Sequence, residues 1–474
     1  MPSSGNARQG SSQNPLEALA RFAAIDLRPE RKSVMDATAR AVIDFVGMGI
    51  AGTVSKEATP IRNYARSTWQ PGESTALGLS GHFGPECAAF INGATAHILD
   101  WDDCLEPFGG HPTAVVLPVL LALSESGSFS TRDIFEGYIA AVEAAAALGR
   151  CLNWTHYERG WHPTATLGIF GATIAAARLL KLNFETTTRA LAIAASLASG
   201  IKGNFGTAMK SVQVGLAASK GIMAAKLAAA GVSANEGIFQ GAHSFPSVFD
   251  GTPIVDWSPL QRIGEDWALL SPGLIFKLYP CCGSTHASID AILSLRSQFN
   301  IDWKRTREIE IGVHPRRLPH VNRPRPKTGL EGKFSLQYTG AVALVDGEVR
   351  PDHFLKEAFD DQRVQSLLER VVVKELPPAE QTIVEGRDDC YAATVRIFTD
   401  ETEYLLHVDA PSGSIPEFPV SDSELERKFR SAVSPVIGRD NVDQLWGQMD
   451  DWLIGKTGTQ AFLNHVNRLV LKGD

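Results

Sequence analysis

The sequence predicts a mainly α protein with an α+β part. Three observations carry that reading. From Pro163 to Gly231 nearly every residue favours helix, and alanine and glycine dominate the faces (GIFGATIAAARLLKL, ALAIAASLASG, GLAASKGIMAAKLAAAG). Small faces let helices approach closely, so a compact bundle is expected there. Beyond Pro272 the character changes, and REIEIGV, AATVRIF and EYLLHV read as strands. After Pro419 the chain turns helical again, which suggests a return to the first unit. At 474 residues, two domains are the natural division. The expected segmentation is a disordered lead-in over 1–14, an all-helical domain over 15–272, an α+β domain over 273–412, and helices over 413–474 that rejoin the first domain.

The lead-in MPSSGNARQGSSQNP is polar and low in complexity, without the apolar core of a signal peptide. Its serines and arginine leave an organelle transit peptide open, but no amphipathic arginine face follows. A first helix starts at Pro15 and runs to Ala24. Arg31 to Gly52 carries apolar residues at helical spacing through Val34, Ala37, Ala41, Phe45 and Met48. Gly72 to Gly81 is rich in glycine and serine and predicts irregular structure. Gly84 to Leu99 predicts a helix, as do Pro112 to Ser124 and Thr131 to Arg150. Asp133 in the first turn of the last complements the helix dipole. Arg150 to Gly160 is expected to be a polar, aromatic loop. Gly203 to Thr207 interrupts the bundle just ahead of Lys210. In the second unit, Ala287 to Gln298 and Phe334 to Val345 predict helices, and Thr399 to Thr402 turns a hairpin.

Composition narrows the function classes. A net charge of −8 argues against nucleic acid or an anionic membrane as the main partner. No apolar run reaches the roughly 20 residues that span a bilayer. The six cysteines (Cys87, Cys104, Cys151, Cys281, Cys282, Cys390) are scattered and form no secreted disulfide framework. Zinc and iron–sulfur spacings are absent, so no metal site is expected, and the cytoplasm is the expected compartment. Gly47 to Gly52 matches GxGxxG by letter, but it closes a helical run instead of following a strand. No GxSxG elbow or HExxH pair is present.

The chemistry concentrates at helix starts. In LDWDDCLEPFGGHPTAVV, Asp100, Asp102 and Asp103 precede a Gly-Gly-His-Pro turn. Proline suits the first turn of a helix, so His111 is placed just ahead of one. A lone His-Pro of this kind is most simply a capped surface loop. The arrangement recurs, however: Gly160-Trp161-His162-Pro163-Thr164-Ala165 sets a second imidazole at the head of another helix. Lys210 sits at a loop-to-helix switch, where a solvated surface lysine is the plain alternative. Lys277 lies among apolar and aromatic neighbours in FKLYPCCGSTH, where a lysine is less expected. His286 and the proline-rich HVNRP, with His320 and Arg323, complete the set of candidates.

At these residues the sequence resembles the MmgE/PrpD family, which includes 2-methylcitrate dehydratases, cis-aconitate decarboxylases and iminodisuccinate epimerase. The likeness is carried by LDWDDCLEPFGGHPTAVVLPVLLALSE, GWHPTATLGIFGATIAAARLLKL, AMKSVQVGLAASKG, FKLYPCCGSTHASIDAI, HVNRP and KFSLQYTGAVALVDGEV, in family order over about residues 15–465. The resemblance implies a large discontinuous all-helical domain plus a smaller α+β lid domain, a homodimer, and a cofactor-free site between the domains. Family site positions carry over onto Asp100, His111, His162, Lys210 and Lys277. Cys104, Cys282 and His320 stand where decarboxylases of the animal type have threonine, histidine and tyrosine. Fungal decarboxylases share the Cys-Cys pair.

The family's reactions make or quench a carbanion-like centre beside a carboxylate, and such a centre needs positive charge placed in advance. The expected substrate is a small anionic polycarboxylate, drawn in by local focusing despite the acidic chain. His111 and His162 are expected to trade protons, and Asp100 to orient His111 or another cation. Lys210 and Lys277 would grip carboxylates, with Cys104, Cys282, His320 and Arg323 as further substrate contacts. The leading expectation is dehydration of a 2-methylcitrate-like hydroxy acid. Epimerisation of an imino- or hydroxy-dicarboxylate and cis-aconitate-type decarboxylation use the same pocket. A catalytically silent dimer is the non-enzyme alternative.

Overall fold

The computed structural model describes residues 14–25, 32–381, 391–414 and 419–473. The predicted lead-in, apart from Asn14, lies outside them, as does Cys390. Asn14 caps the first helix, Pro15–Ala23, its side chain accepting from the Leu16 amide.

One hydrophobic core runs through both ends of the chain, from Leu16 to Phe276 and again from Val420 to Val470. Its centre is formed by the helices Pro85–His97, Pro112–Ser124, Gly168–Leu179 and Met209–Ala229, which pack on one another. Glycine permits this closeness. A Cβ on Gly215 would lie 2.3 Å from the Phe90 carbonyl oxygen, and one on Gly221 2.4 Å from the Ala172 Cβ. The small-residue faces read from the sequence are thus the contact surfaces.

A second core gathers residues from Cys281 to Ile397. Here a four-stranded sheet runs in the order β4-β3-β5-β6, with β3 Thr306–Val313, β4 Val371–Glu375, β5 Ala393–Thr399 and β6 Glu403–Val408. β3 is parallel to β4 and antiparallel to β5, and the predicted hairpin joins β5 to β6. Ile309 and Ile311 of β3, with Val395 and Ile397 of β5, are buried with the helices His286–Phe299 and Leu336–Asp346.

Three local expectations are corrected. Gly72 to Gly81 is not wholly irregular, because β1 (Pro71–Thr75) pairs with β2 (His82–Phe83). The stretch from Arg150 to Gly160 is not a loop. The helix from Thr131 continues to Glu158, since His156 is buried between Asp250 and Thr166 and pins the last turns. β4 carries no alternating pattern and was not expected. Its pairing with β3 needs the intervening helices as a crossover. Among the described residues no single helix is long and apolar enough to cross a membrane.

Candidate active site

A narrow cavity of about 80 Å³ lies where the two cores meet. The helical body contributes Asp100, Cys104, His111, His162 and Lys210; Lys277, Cys282, Ser284, Arg317 and Tyr391 close it from the other side. Trp154, Tyr157, Phe205 and Phe334 add aromatic walls.

Asp100 is the anchor. Its backbone is left-handed, with φ of 52°, in a turn that follows the helix Pro85–His97. Its Oδ1 accepts from Lys210 Nζ at 2.6 Å and from Lys277 Nζ at 3.0 Å. Lys277 Nζ also donates to the Asp100 carbonyl at 2.9 Å. Burial opposes ionisation of this carboxyl, but the two ammonium groups outweigh it and hold Asp100 well below the usual carboxylate range. Burial likewise opposes charge on Lys277, and Asp100 reverses it, so this lysine titrates above its ordinary value. Lys210 Nζ lies over the Phe205 and Phe334 rings, 5.3 and 5.4 Å from their centroids. Two ammonium groups thus share one carboxylate, and the cluster keeps a positive excess toward the cavity.

The two imidazoles sit as the sequence predicts, each at the head of a helix that begins with proline: Pro112–Ser124 for His111 and the single turn Pro163–Thr166 for His162. His111 Nδ1 lies 2.7 Å from the Asp103 carbonyl oxygen, which can only accept. That bond puts the proton on Nδ1 and leaves Nε2 as a lone pair. His162 Nδ1 meets Gln213 Oε1 at 2.8 Å, and Gln213 Nε2 donates to the Ile201 carbonyl, which fixes the amide orientation. Nε2 of His162 is therefore also a lone pair. Burial pushes both imidazoles below their ordinary value, and nearby lysines add to it. For His111 the Asp102 carboxylate works in the opposite direction. The free protein thus holds two neutral imidazoles, and the positive charge of the cavity comes from Lys210, Lys277 and Arg317.

Behind His111 stands a pair the sequence reading did not assign. Asp102 accepts from His97 Nδ1 at 2.8 Å and lies 3.3 Å from His111 Nδ1. The His97 and His111 rings are 4.5 Å apart. His97, Asp100, Asp102 and His111 each bring a ligand-capable atom within 4.8 Å of the others. Within this group Asp100 Oδ1 is taken by two ammonium groups, Asp102 by His97 Nδ1, and His111 Nδ1 by a carbonyl.

The remaining predicted contacts divide. Cys104 and Cys282 line the cavity; burial pushes the Cys104 thiol up to about 12, so it is a neutral group there. Cys104 exchanges two backbone hydrogen bonds with Ile275, tying the Asp100 turn to the segment that carries Lys277. His320 is not a lining residue. It sits behind Ser284, 3.3 Å from its hydroxyl, because the short helix Leu318–Val321 turns it inward. Arg323 does not reach the cavity either; it donates to the Phe205 carbonyl and covers the Phe334 ring. His286 is buried, with Nε2 3.2 Å from the Cys281 carbonyl oxygen. From the same side as Lys277, a second cation lines the cavity: Arg317, buried with its guanidinium 4.2 Å from the Tyr391 ring centroid. The arginine run in HPRRLPH offered a signal for it, masked by the prolines around it.

Fold and site together define an enzyme of two units, with a lysine-rich pocket between them. Residues 17–258 match the MmgE/PrpD N-terminal domain, and residues 279–451 match the MmgE/PrpD C-terminal domain. The chain belongs to the MmgE/PrpD family. It is similar to cis-aconitate decarboxylase of Homo sapiens, 29% identical over 427 residues, covering 87% of this chain and 86% of that one. The mouse protein of the same name is 28% identical over 425 residues, 86% of this chain and 84% of its own. Cis-aconitate decarboxylase of Aspergillus terreus is 25% identical over 402 residues, 79% of this chain and 80% of its own.

Proposed function

We propose that this lyase removes CO2 from a small unsaturated tricarboxylate of the cis-aconitate type. The observation that carries the reading is the convergence of Lys210 and Lys277 on one buried carboxylate, Asp100. The names of the similar proteins give the substrate class. As the C–C bond to the departing carboxylate breaks, its electron pair moves through the double bond toward a remaining carboxylate. The lysine pair and Arg317 stabilise the charge that builds there. The electron pair returns to carbon, which takes one proton, and CO2 leaves. That proton comes from Nε2 of an imidazole. Both imidazoles start neutral, so the substrate must bring a proton in with it: its negative charge raises the histidine pKa on binding.

A second reading, dehydration of a 2-methylcitrate-like hydroxy acid, is favoured by one observation. Both Nε2 atoms are lone pairs at rest, and a dehydratase needs a base first. In that reaction one imidazole removes the proton beside the carboxylate and then returns it to the leaving hydroxide. Proton NMR in D2O on a panel of polycarboxylates separates the two. Decarboxylation yields one carbon fewer and deuterium on carbon; dehydration yields a new alkene at constant carbon count. Dehydration of a hydroxy acid with no CO2 from any substrate overturns the first reading. A homodimer belongs to the same proposal and is read by light scattering.

A further inference from the structure

The turn that carries Asp100 is a partition between two chambers. Asp100 faces the cavity described above, while Leu99 and Trp101 on either side of it line a second one of about 740 Å³. That volume is in the range of small-molecule sites, roughly 300–1,000 Å³. Its walls are largely apolar, with Leu278, Leu293, Val349, Phe354 and Val436 lining it together with Trp101.

Two lysines of this second chamber hold the partition. Lys333 Nζ donates to the Leu99 carbonyl at 2.5 Å and to the Pro280 carbonyl at 2.8 Å. Lys428 Nζ donates to the Trp101 carbonyl at 2.6 Å and pairs with Asp44 at 2.6 Å. The residues flanking the anchor are therefore gripped from behind. The lysines differ in one respect. Lys428 has its carboxylate, whereas Lys333 is 4% exposed and, among the described residues, hydrogen-bonds two carbonyls and lies 4.7 Å from the Phe354 ring centroid, with no carboxylate in ion-pair contact. Burial pulls Lys333 down to about 8, and the charge of Asp100 across the turn only partly offsets it. Glu57, Glu348, Asp352 and Glu424 also line the chamber, beside Lys56, Arg350 and Arg427, which disfavours a polyanion.

We propose that the chamber behind the Asp100 turn is a second ligand site, for a monocarboxylate with an apolar body, whose carboxylate pairs with Lys333. Such a ligand draws Lys333 from the Leu99 carbonyl and so loosens the turn that sets Asp100 between its two lysines. The ligand class differs from that of the active site because one buried cation without an ion-pair partner, set among apolar walls, replaces a pair of lysines converging on one carboxylate.

The probe is octanoate, with 1-octanol as the uncharged control, titrated into the full chain by calorimetry. Saturable octanoate binding is expected, weakened at least about tenfold by Lys333→Met and by Leu355→Trp, with octanol binding no more than weakly. Leu355 lies at the mouth and is 54% exposed, so tryptophan there narrows the chamber without entering the core. Both variants are first checked for the wild-type melting temperature. Octanoate is also expected to lower turnover without competing with the tricarboxylate. Binding that Leu355→Trp leaves unchanged, competition with the tricarboxylate, or no binding overturns the proposal. So does a dimer by light scattering that Leu355→Trp dissociates, which would assign the face to a second copy of the chain. The calorimetric result does not depend on which reaction the active site performs.

Discussion

Asp102 Oδ2 lies 2.8 Å from His97 Nδ1, and neither side chain lines the cavity. The pair sits one layer behind His111, and its negative charge reaches that imidazole at 3.3 Å. Burial, opposed mainly by Asp102, pulls His97 down to about 4, so His97 stays neutral and donates from Nδ1 to an ionised Asp102. In the proposed decarboxylation, the imidazole that gains a proton would thus have a fixed anion behind it.

Replacing Asp102 with asparagine removes the carboxylate that favours protonated His111. The His111 pKa falls further, so its limb in the pH–rate profile moves to lower pH. At pH 7 kcat/KM drops by about tenfold for each unit of that movement. A profile for Asp102→Asn that overlays the wild type shows that this carboxylate does not tune His111.

Gln213 fixes the tautomer of His162. Gln213→Leu frees Nδ1, and kcat is expected to fall about 10- to 100-fold while KM changes little, because general acid–base groups contribute on the order of 10²–10⁴. Turnover within twofold of the wild type shows that His162 does not exchange the proton.

Asp100→Asn leaves two buried ammonium groups without their anion. Breaking one side of a buried pair costs about 3–5 kcal/mol. Urea unfolding at pH 7 measures it. The folded-state pKa of Asp100 is depressed, so its contribution is fully present above the unfolded value near 3.9. It fades as pH falls from there toward the lower folded value. The stability gap between wild type and variant should therefore be flat from pH 8 to about 5 and narrow below about 4.

If both histidines start neutral, tricarboxylate binding takes up a proton. Calorimetry in buffers of different ionisation enthalpy counts it, and affinity should weaken as pH rises. A proton count of zero would instead match the dehydratase reading.

Gly215→Val tests the packing of the body. Its Cβ would lie 2.3 Å from the Phe90 carbonyl oxygen, so overpacking of about 1–3 kcal/mol or more is expected in thermal unfolding.

Much of this site is legible in the sequence because helix starts announce themselves. Proline after His111 and His162 marks where each imidazole stands, and Lys210 and Lys277 meet at Asp100 through the fold. What escapes is set by tertiary contact. His97 lies inside a helix, and its importance comes from Asp102 five residues on. Arg317 is hidden among prolines, while His320 and Arg323, equally titratable, turn away from the cavity. β4 depends on a parallel neighbour more than fifty residues earlier, and local pattern cannot reveal it. The helix to Glu158 persists because His156 finds Asp250.

The left-handed backbone of Asp100 is one of three such non-glycine residues among those described. An L-residue holds that shape at a cost of roughly 1–2 kcal/mol. Glycine at this position would relax the main chain and at the same time strip two lysines of their shared anion. The two consequences oppose each other, so an unchanged melting point for Asp100→Gly would hide a rearranged interior, and only the lost turnover would disclose it.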